Sequence, residues 1–218
     1  MNWNETISAC RDAHQAEEVA LICGDQLNEN HSWFAGGAKP NRLFVIMEVR
    51  SETDYARHHI QKVVAFFGAM RLFAQRIQAL GHRVHYISLD DDENEQSFAA
   101  NVHRIVDDVG ARRFCWQQPD EYRLEEALKA LGAECNARGL ETECADTEHF
   151  YTHRTELADF FKGKKTYRLE NFYRSMRAKH GILMNATGEP EGGQWNFDAS
   201  NRQKLPKDHI IPLPRLYH

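Results

Sequence analysis

The sequence is short of the features that place a chain quickly. No apolar run approaches the length of a membrane span, and the first residues lack the apolar core of a signal peptide. The expectation is a cytoplasmic protein with no membrane contact. The five cysteines (Cys10, Cys23, Cys115, Cys135 and Cys144) are odd in number, widely spaced and never arranged as Cys-x-x-Cys. That pattern argues against a disulfide framework and against cysteine-held metal, and it suits a reducing compartment. Cys23 and Cys115 lie inside apolar runs and are expected to be packed thiols. Glycine-rich phosphate loops are missing too. The first apolar run is followed by a single Gly24 rather than Gly-x-Gly-x-x-Gly, and no Walker sequence occurs. Asp25 directly after it would repel a phosphate rather than cradle it.

Histidine is plentiful but unorganised. His58 and His59 are neighbours and cannot share one helix face, and His149 precedes the helix on which His153 would sit. No metal site is expected, and no Ser/His/Asp or Cys/His motif names a catalytic residue. The net charge of −5 is not the footprint of a general nucleic-acid binder. The charge is uneven, however. Residues 154–179 hold eight Lys/Arg against three Asp/Glu, a local +5 on a body that carries −10.

What the sequence does contain is an alternation of short apolar runs and helical stripes. Val19-Ala20-Leu21-Ile22-Cys23 stops at Gly24-Asp25-Gln26, and Arg42-Leu43-Phe44-Val45-Ile46-Met47 stops at Glu48. Runs of this length between polar turns predict strands covered on both faces. A helix over about 54–80 follows, with Val63, Phe66, Phe67, Met70, Ala74 and Ile77 in one stripe and Gly81 as its terminal cap. Strand 82–89, helix 95–109, strand 112–117, a helix opened by Pro119-Asp120 and running to about 137, and strand 140–145 complete the series. The order predicts a five-stranded parallel sheet in a Rossmann-like or flavodoxin-like three-layer sandwich. Helices over about 153–162 and 168–180 come next. From 182 onward Pro190, Pro206, Pro212 and Pro214 interrupt any period, which reads as an extended arm or linker. The divisions are therefore an N-terminal extension at 1–18, an α/β domain at 19–181 and an arm at 182–218.

In a parallel sheet, ligands bind beyond the carboxyl ends of the strands. Asp25, Gln26, Glu48 and Glu52 stand at that edge, on the first two strands. Carboxylates and an amide there can hold the N–H and C=O edge of a heterocycle. The alternative is a module without such a ligand, in which the basic helices and the arm dock a partner protein or nucleic acid.

Several runs extend this reading. Leu21-Ile22-Cys23-Gly24-Asp25-Gln26-Leu27, Met47-Glu48-Val49-x-x-Glu52, His58-His59 and Ala69-Met70-Arg71-x-Phe73-Ala74 resemble the N-terminal domain of the iron–sulfur bacterial cryptochromes and photolyases. Phe172-Tyr173-Arg174-x-Met176-Arg177, Leu183-Met184-Asn185 and Gly192-Gly193-Gln194-Trp195-Asn196-Phe197-Asp198-x-x-Asn201-Arg202 are similar to it as well. The resemblance implies an antenna domain that binds 6,7-dimethyl-8-ribityllumazine and passes its excitation to a flavin. It implies that FAD and a [4Fe–4S] cluster belong to a helical C-terminal domain beyond His218, which would be this chain's partner. Members with repair activity act on (6-4) photoproducts, so DNA contact is implied only for the full-length protein. None of the five cysteines matches a cluster ligand, and this chain is not expected to be catalytic alone. By the resemblance, Glu52 matches a glutamate that contacts the lumazine and Tyr55 a neighbouring aromatic. The candidate cofactor-binding set is Gly24, Asp25, Gln26, Glu48, Glu52, Tyr55 and His59. The apolar residues of the arm also predict self-association.

Overall fold

The structure, a computed structural model, describes residues 15–215. Most of the expected N-terminal extension, including Cys10, lies outside the described residues. Five strands form one parallel sheet: β1 Glu18–Leu21, β2 Arg42–Met47, β3 Arg83–Ile87, β4 Arg113–Gln117 and β5 Glu141–Ala145. Their order is β3-β2-β1-β4-β5, with Val19 opposite Leu43 on one side of β1 and Ala20 opposite Cys115 on the other. The chain winds outward from β1 to β3, returns across the sheet, and winds outward again through β4 and β5. The topological switch point therefore lies between β1 and β4.

Both faces of the inner strands are covered, which is why they read as continuous apolar runs. Val19, Leu21, Leu43, Val45, Phe114 and Trp116 point to one face and pack against α3 Phe98–Val109 and α4 Tyr122–Ala137. Ala20, Ile22, Phe44, Ile46, Tyr86 and Cys115 point to the other and pack against α2 Ile60–Ala79 and the short 3-10 helix Ser32–Phe34. The result is the expected α/β three-layer sandwich. Cys23 and Cys115 are buried, and burial pushes the Cys115 thiol up to about 12.

One expected helix is divided. A single turn, α1 Arg50–Thr53, precedes a bend, and α2 begins only at Ile60. His59 stops the helix there by adopting an extended backbone and accepting a hydrogen bond from Gln61 N at its Nδ1, 3.2 Å away. At the other end Gly81 has φ +91°, the left-handed conformation that ends a helix at low cost.

The chain divides into two compact units, Met1–His149 and Phe150–His218. Helices α5 Glu156–Phe161 and α6 Leu169–His180 lie in the second of these units. Within the second unit the first part of the arm is shaped by one side chain. Arg177 is buried, and its guanidinium donates to the carbonyls of Ile182, Leu183 and Trp195 at 3.2, 2.5 and 3.4 Å while lying 5.3 Å from the Trp195 ring. Asn185 Oδ1 accepts from Thr187 N and Glu189 N, which closes the intervening turn. A last turn, α7, spans Asp198–Asn201. Further on, Ile210 and Leu213 are 87% and 93% exposed. No helix among the described residues is long and apolar enough to cross a membrane.

Candidate functional site

The carboxyl ends of β1 and β2 open into a cavity of about 200 Å³. Its position follows from local chemistry at each strand end. β1 runs into the turn Cys23–Gln26, closed by Gln26 N donating to Cys23 O at 3.0 Å. Gln26 folds back: its Oε1 accepts from Cys23 N at 2.9 Å and its Nε2 donates to Gln117 O at 3.2 Å. The amide thus straps the ends of β1 and β4 together at the switch point, where the chain directions part. Gly24 is needed by close approach, since a Cβ there would sit 2.7 Å from Phe66 Cε1 and 2.9 Å from Met70 Sδ. This brings the turn hard against α2, and Phe66, Phe67 and Met70 form the apolar wall beside it. Cys23, Met47 and Phe98 add to that wall. Burial, with Asp25 and Glu52 adding, raises the Cys23 thiol pKa, so it remains a neutral wall group.

The rim is polar. Asp25 stands at the mouth and makes no ion pair among the described residues. Although its side chain reaches solvent, the protein around it raises its carboxyl pKa, helped by Asp120 and Glu52 and opposed by its own backbone N–H and His149. α1 carries Glu52 over the rim, and the bend after it presents Tyr55 and His58. From across the switch point comes Arg123, in the first turn of α4. Its Nη1 and Nη2 donate to Glu52 Oε1 and Oε2 at 3.1 and 3.0 Å, and its Cζ lies 4.3 Å from the Tyr55 ring centre. The Glu52 carboxylate in turn raises the Arg123 pKa. Glu121 holds the same turn of α4, its two oxygens accepting from Arg123 N and Leu124 N at 2.9 Å each.

Of the seven residues singled out in the sequence, Gly24, Asp25, Glu52 and Tyr55 meet at this cavity. The other three are directed elsewhere. Gln26 is buried in the strap just described. Glu48 is also fully buried. Its carboxylate accepts from Arg71 Nε at 2.6 Å and Nη2 at 2.9 Å, from Tyr86 Oη at 2.6 Å, and from Leu89 N at 2.9 Å. Four donors leave it little acceptor capacity for a ligand. Burial and the Glu48 charge push the Tyr86 hydroxyl pKa well up, so it is a firm donor in this network. His59 caps α2, and its neighbour His58 lines the cavity instead. Arg123 escaped the sequence reading. The signal was present, because it follows the carboxyl end of β4 as Asp25 follows that of β1.

The cavity therefore combines an apolar wall, one unpaired carboxylate, and a carboxylate held in place by a guanidinium. Such a set has the chemistry to accept hydrogen bonds from the edge of a flat heterocycle and to cover its face. Among the described residues no group of three or more His, Cys, Asp or Glu could hold a metal ion.

Residues 20–218 match the family model described as deoxyribodipyrimidine photo-lyase-related protein. The chain belongs to that family. A curated relative, a (6-4) photolyase from Agrobacterium fabrum (strain C58 / ATCC 33970), is 36% identical over 195 residues. The match covers 89% of this chain and 38% of the relative, so the chain spans well under half of the photolyase's length.

Proposed function

We propose that this chain is the antenna part of a photolyase-related protein and holds 6,7-dimethyl-8-ribityllumazine in the cavity at the ends of β1 and β2. The observation that carries the reading is the convergence of Gly24, Asp25, Glu52 and Tyr55 on one cavity. The acceptors at the rim and the apolar wall suit such a group. Asp25 would accept from a hydroxyl or ring N–H. Glu52, aimed by Arg123, would present a fixed carboxylate edge. Phe66, Phe67 and Met70 would cover an aromatic face and exclude water. The chromophore supplies light absorption and transfer of excitation to a flavin. The side chains are asked only to bind, orient and tune it, so no proton or bond transfer is assigned to them.

In this reading FAD and a [4Fe–4S] cluster belong to a C-terminal domain, and the parent protein acts as a lyase in light-dependent DNA repair or as a blue-light sensor in the cytoplasm. The exposed Ile210, Ile211 and Leu213 suit docking of that domain, and without it they would favour self-association. DNA is a partner of the full-length protein only.

Fluorescence titration with the lumazine tests the site. Glu52→Ala should weaken binding by about 1–3 kcal/mol, the scale for losing a partner of a sequestered polar group. Equal dissociation constants in the two proteins would remove Glu52 from the site.

A further inference from the structure

Building on the reading of this cavity as a chromophore site, we infer that it selects an uncharged, polyol-bearing heterocycle and rejects the phosphorylated form of the same molecule, with Asp25 as the residue that sets the preference. The position makes the point worth deciding. In parallel α/β folds the crevice at the switch point is where nucleotide phosphates settle, on the free N–H groups of a glycine-rich turn and a helix N-terminus.

Here several of those provisions are already engaged. The β1 turn directs Cys23 N to the Gln26 side chain at 2.9 Å. The α4 N-terminus at the rim is plugged by Glu121, whose carboxylate occupies the N–H groups of Arg123 and Leu124. The guanidinium of Arg123 is the natural fork for a phosphate, but both of its terminal nitrogens are held by Glu52. Glu121 Oε2 lies a further 3.3 Å from Nη2. Lys62 is the other cation of the lining, and it contacts His58.

A phosphate arriving at the mouth would therefore face three carboxylates, Asp25, Glu52 and Glu121, against two cations, Lys62 and an Arg123 already engaged by Glu52 and Glu121. Among these three, Asp25 alone has no cation paired with it. A hydroxyl-bearing chain meets the opposite situation, because every one of those oxygens can accept from it. The Asp25 carboxyl pKa is raised first by burial and then by the neighbouring Asp120 and Glu52 carboxylates, whose charge an incoming phosphate would also meet.

The test compares ligands that differ only in the phosphate. Dissociation constants are measured by fluorescence for 6,7-dimethyl-8-ribityllumazine and its 5′-phosphate, and for riboflavin and riboflavin 5′-phosphate. Wild type and Asp25→Asn are compared at low and raised ionic strength, with folding checked by circular dichroism. Within whichever pair binds, the unphosphorylated member should bind at least tenfold more tightly. That preference should shrink at least threefold in Asp25→Asn and shrink again with salt. Equal or tighter binding of the phosphorylated member would overturn the inference while leaving the cavity a ligand site. A preference that survives intact in Asp25→Asn would overturn the role of Asp25. Failure of all four ligands to bind would overturn the chromophore reading and this selectivity together.

Discussion

Glu48 and Glu52 lie four residues apart after the same strand, and the same truncation should cost them very different amounts of stability. Glu48→Ala removes an acceptor that serves two nitrogens of Arg71, the Tyr86 hydroxyl and the Leu89 N–H, all within 2.9 Å. The carboxylate has 0% exposure, and Arg71 retains 23%. Breaking a buried pair from one side costs about 3–5 kcal/mol, and a stranded neutral donor about 1–3 kcal/mol more in a fully dry site. Partial hydration of Arg71 offsets some of this, so the expected loss is about 4 kcal/mol. For a chain of this size that corresponds to a fall of roughly 8–16 °C in Tm. Glu52→Ala breaks a pair in which both side chains already reach solvent, at 29% and 39% exposure, and should cost no more than about 1 kcal/mol. Urea denaturation followed by tryptophan fluorescence on both variants measures the difference. A loss below about 1 kcal/mol in Glu48→Ala, or equal losses in the two variants, would refute the assignment of Glu48 as the structural carboxylate and Glu52 as the ligand-facing one.

Two further outcomes follow from close contacts. Gly24→Ala places a methyl group 2.7 Å from Phe66 Cε1, and overpacking of this kind costs about 1–3 kcal/mol unless Phe66 rotates. Rotation would redirect a wall residue of the cavity, so the variant should show either a lower Tm or weaker lumazine binding, and wild-type values of both would contradict the packing described. Arg177→Met deletes the donors to Ile182, Leu183 and Trp195 carbonyls, so limited proteolysis should cut residues 182–197 faster in the variant while the sheet unit keeps its melting transition. An unchanged cleavage pattern would show that the turn holds without the guanidinium.

Sequence alone determined the layered fold. Val19–Cys23 and Arg42–Met47 are apolar on every residue but the first of the second run, and at this length between polar turns such runs suit strands buried on both faces. Gly81 and the stripe through Met70, Ala74 and Ile77 likewise settled where α2 ends and which face it buries. These are local periodicities, and they survive whatever the rest of the chain does. The site was legible only in outline, because side chains at strand ends are assigned their work by neighbours distant in sequence. Glu48 reads like Glu52 until β3 brings Tyr86 and α2 brings Arg71 against it. His58 and His59 are indistinguishable until the bend after α1 makes one a cap and leaves the other at the cavity. Arg123 lies 71 residues from Glu52, and they meet because the strand order sets β4 beside β1 and so brings the first turn of α4 to the cavity at the ends of β1 and β2. Strand order is a long-range property, fixed by which faces pack together and not by any local period. That is why the tertiary structure, not the sequence, decided which carboxylate lines the cavity and which is locked in the core.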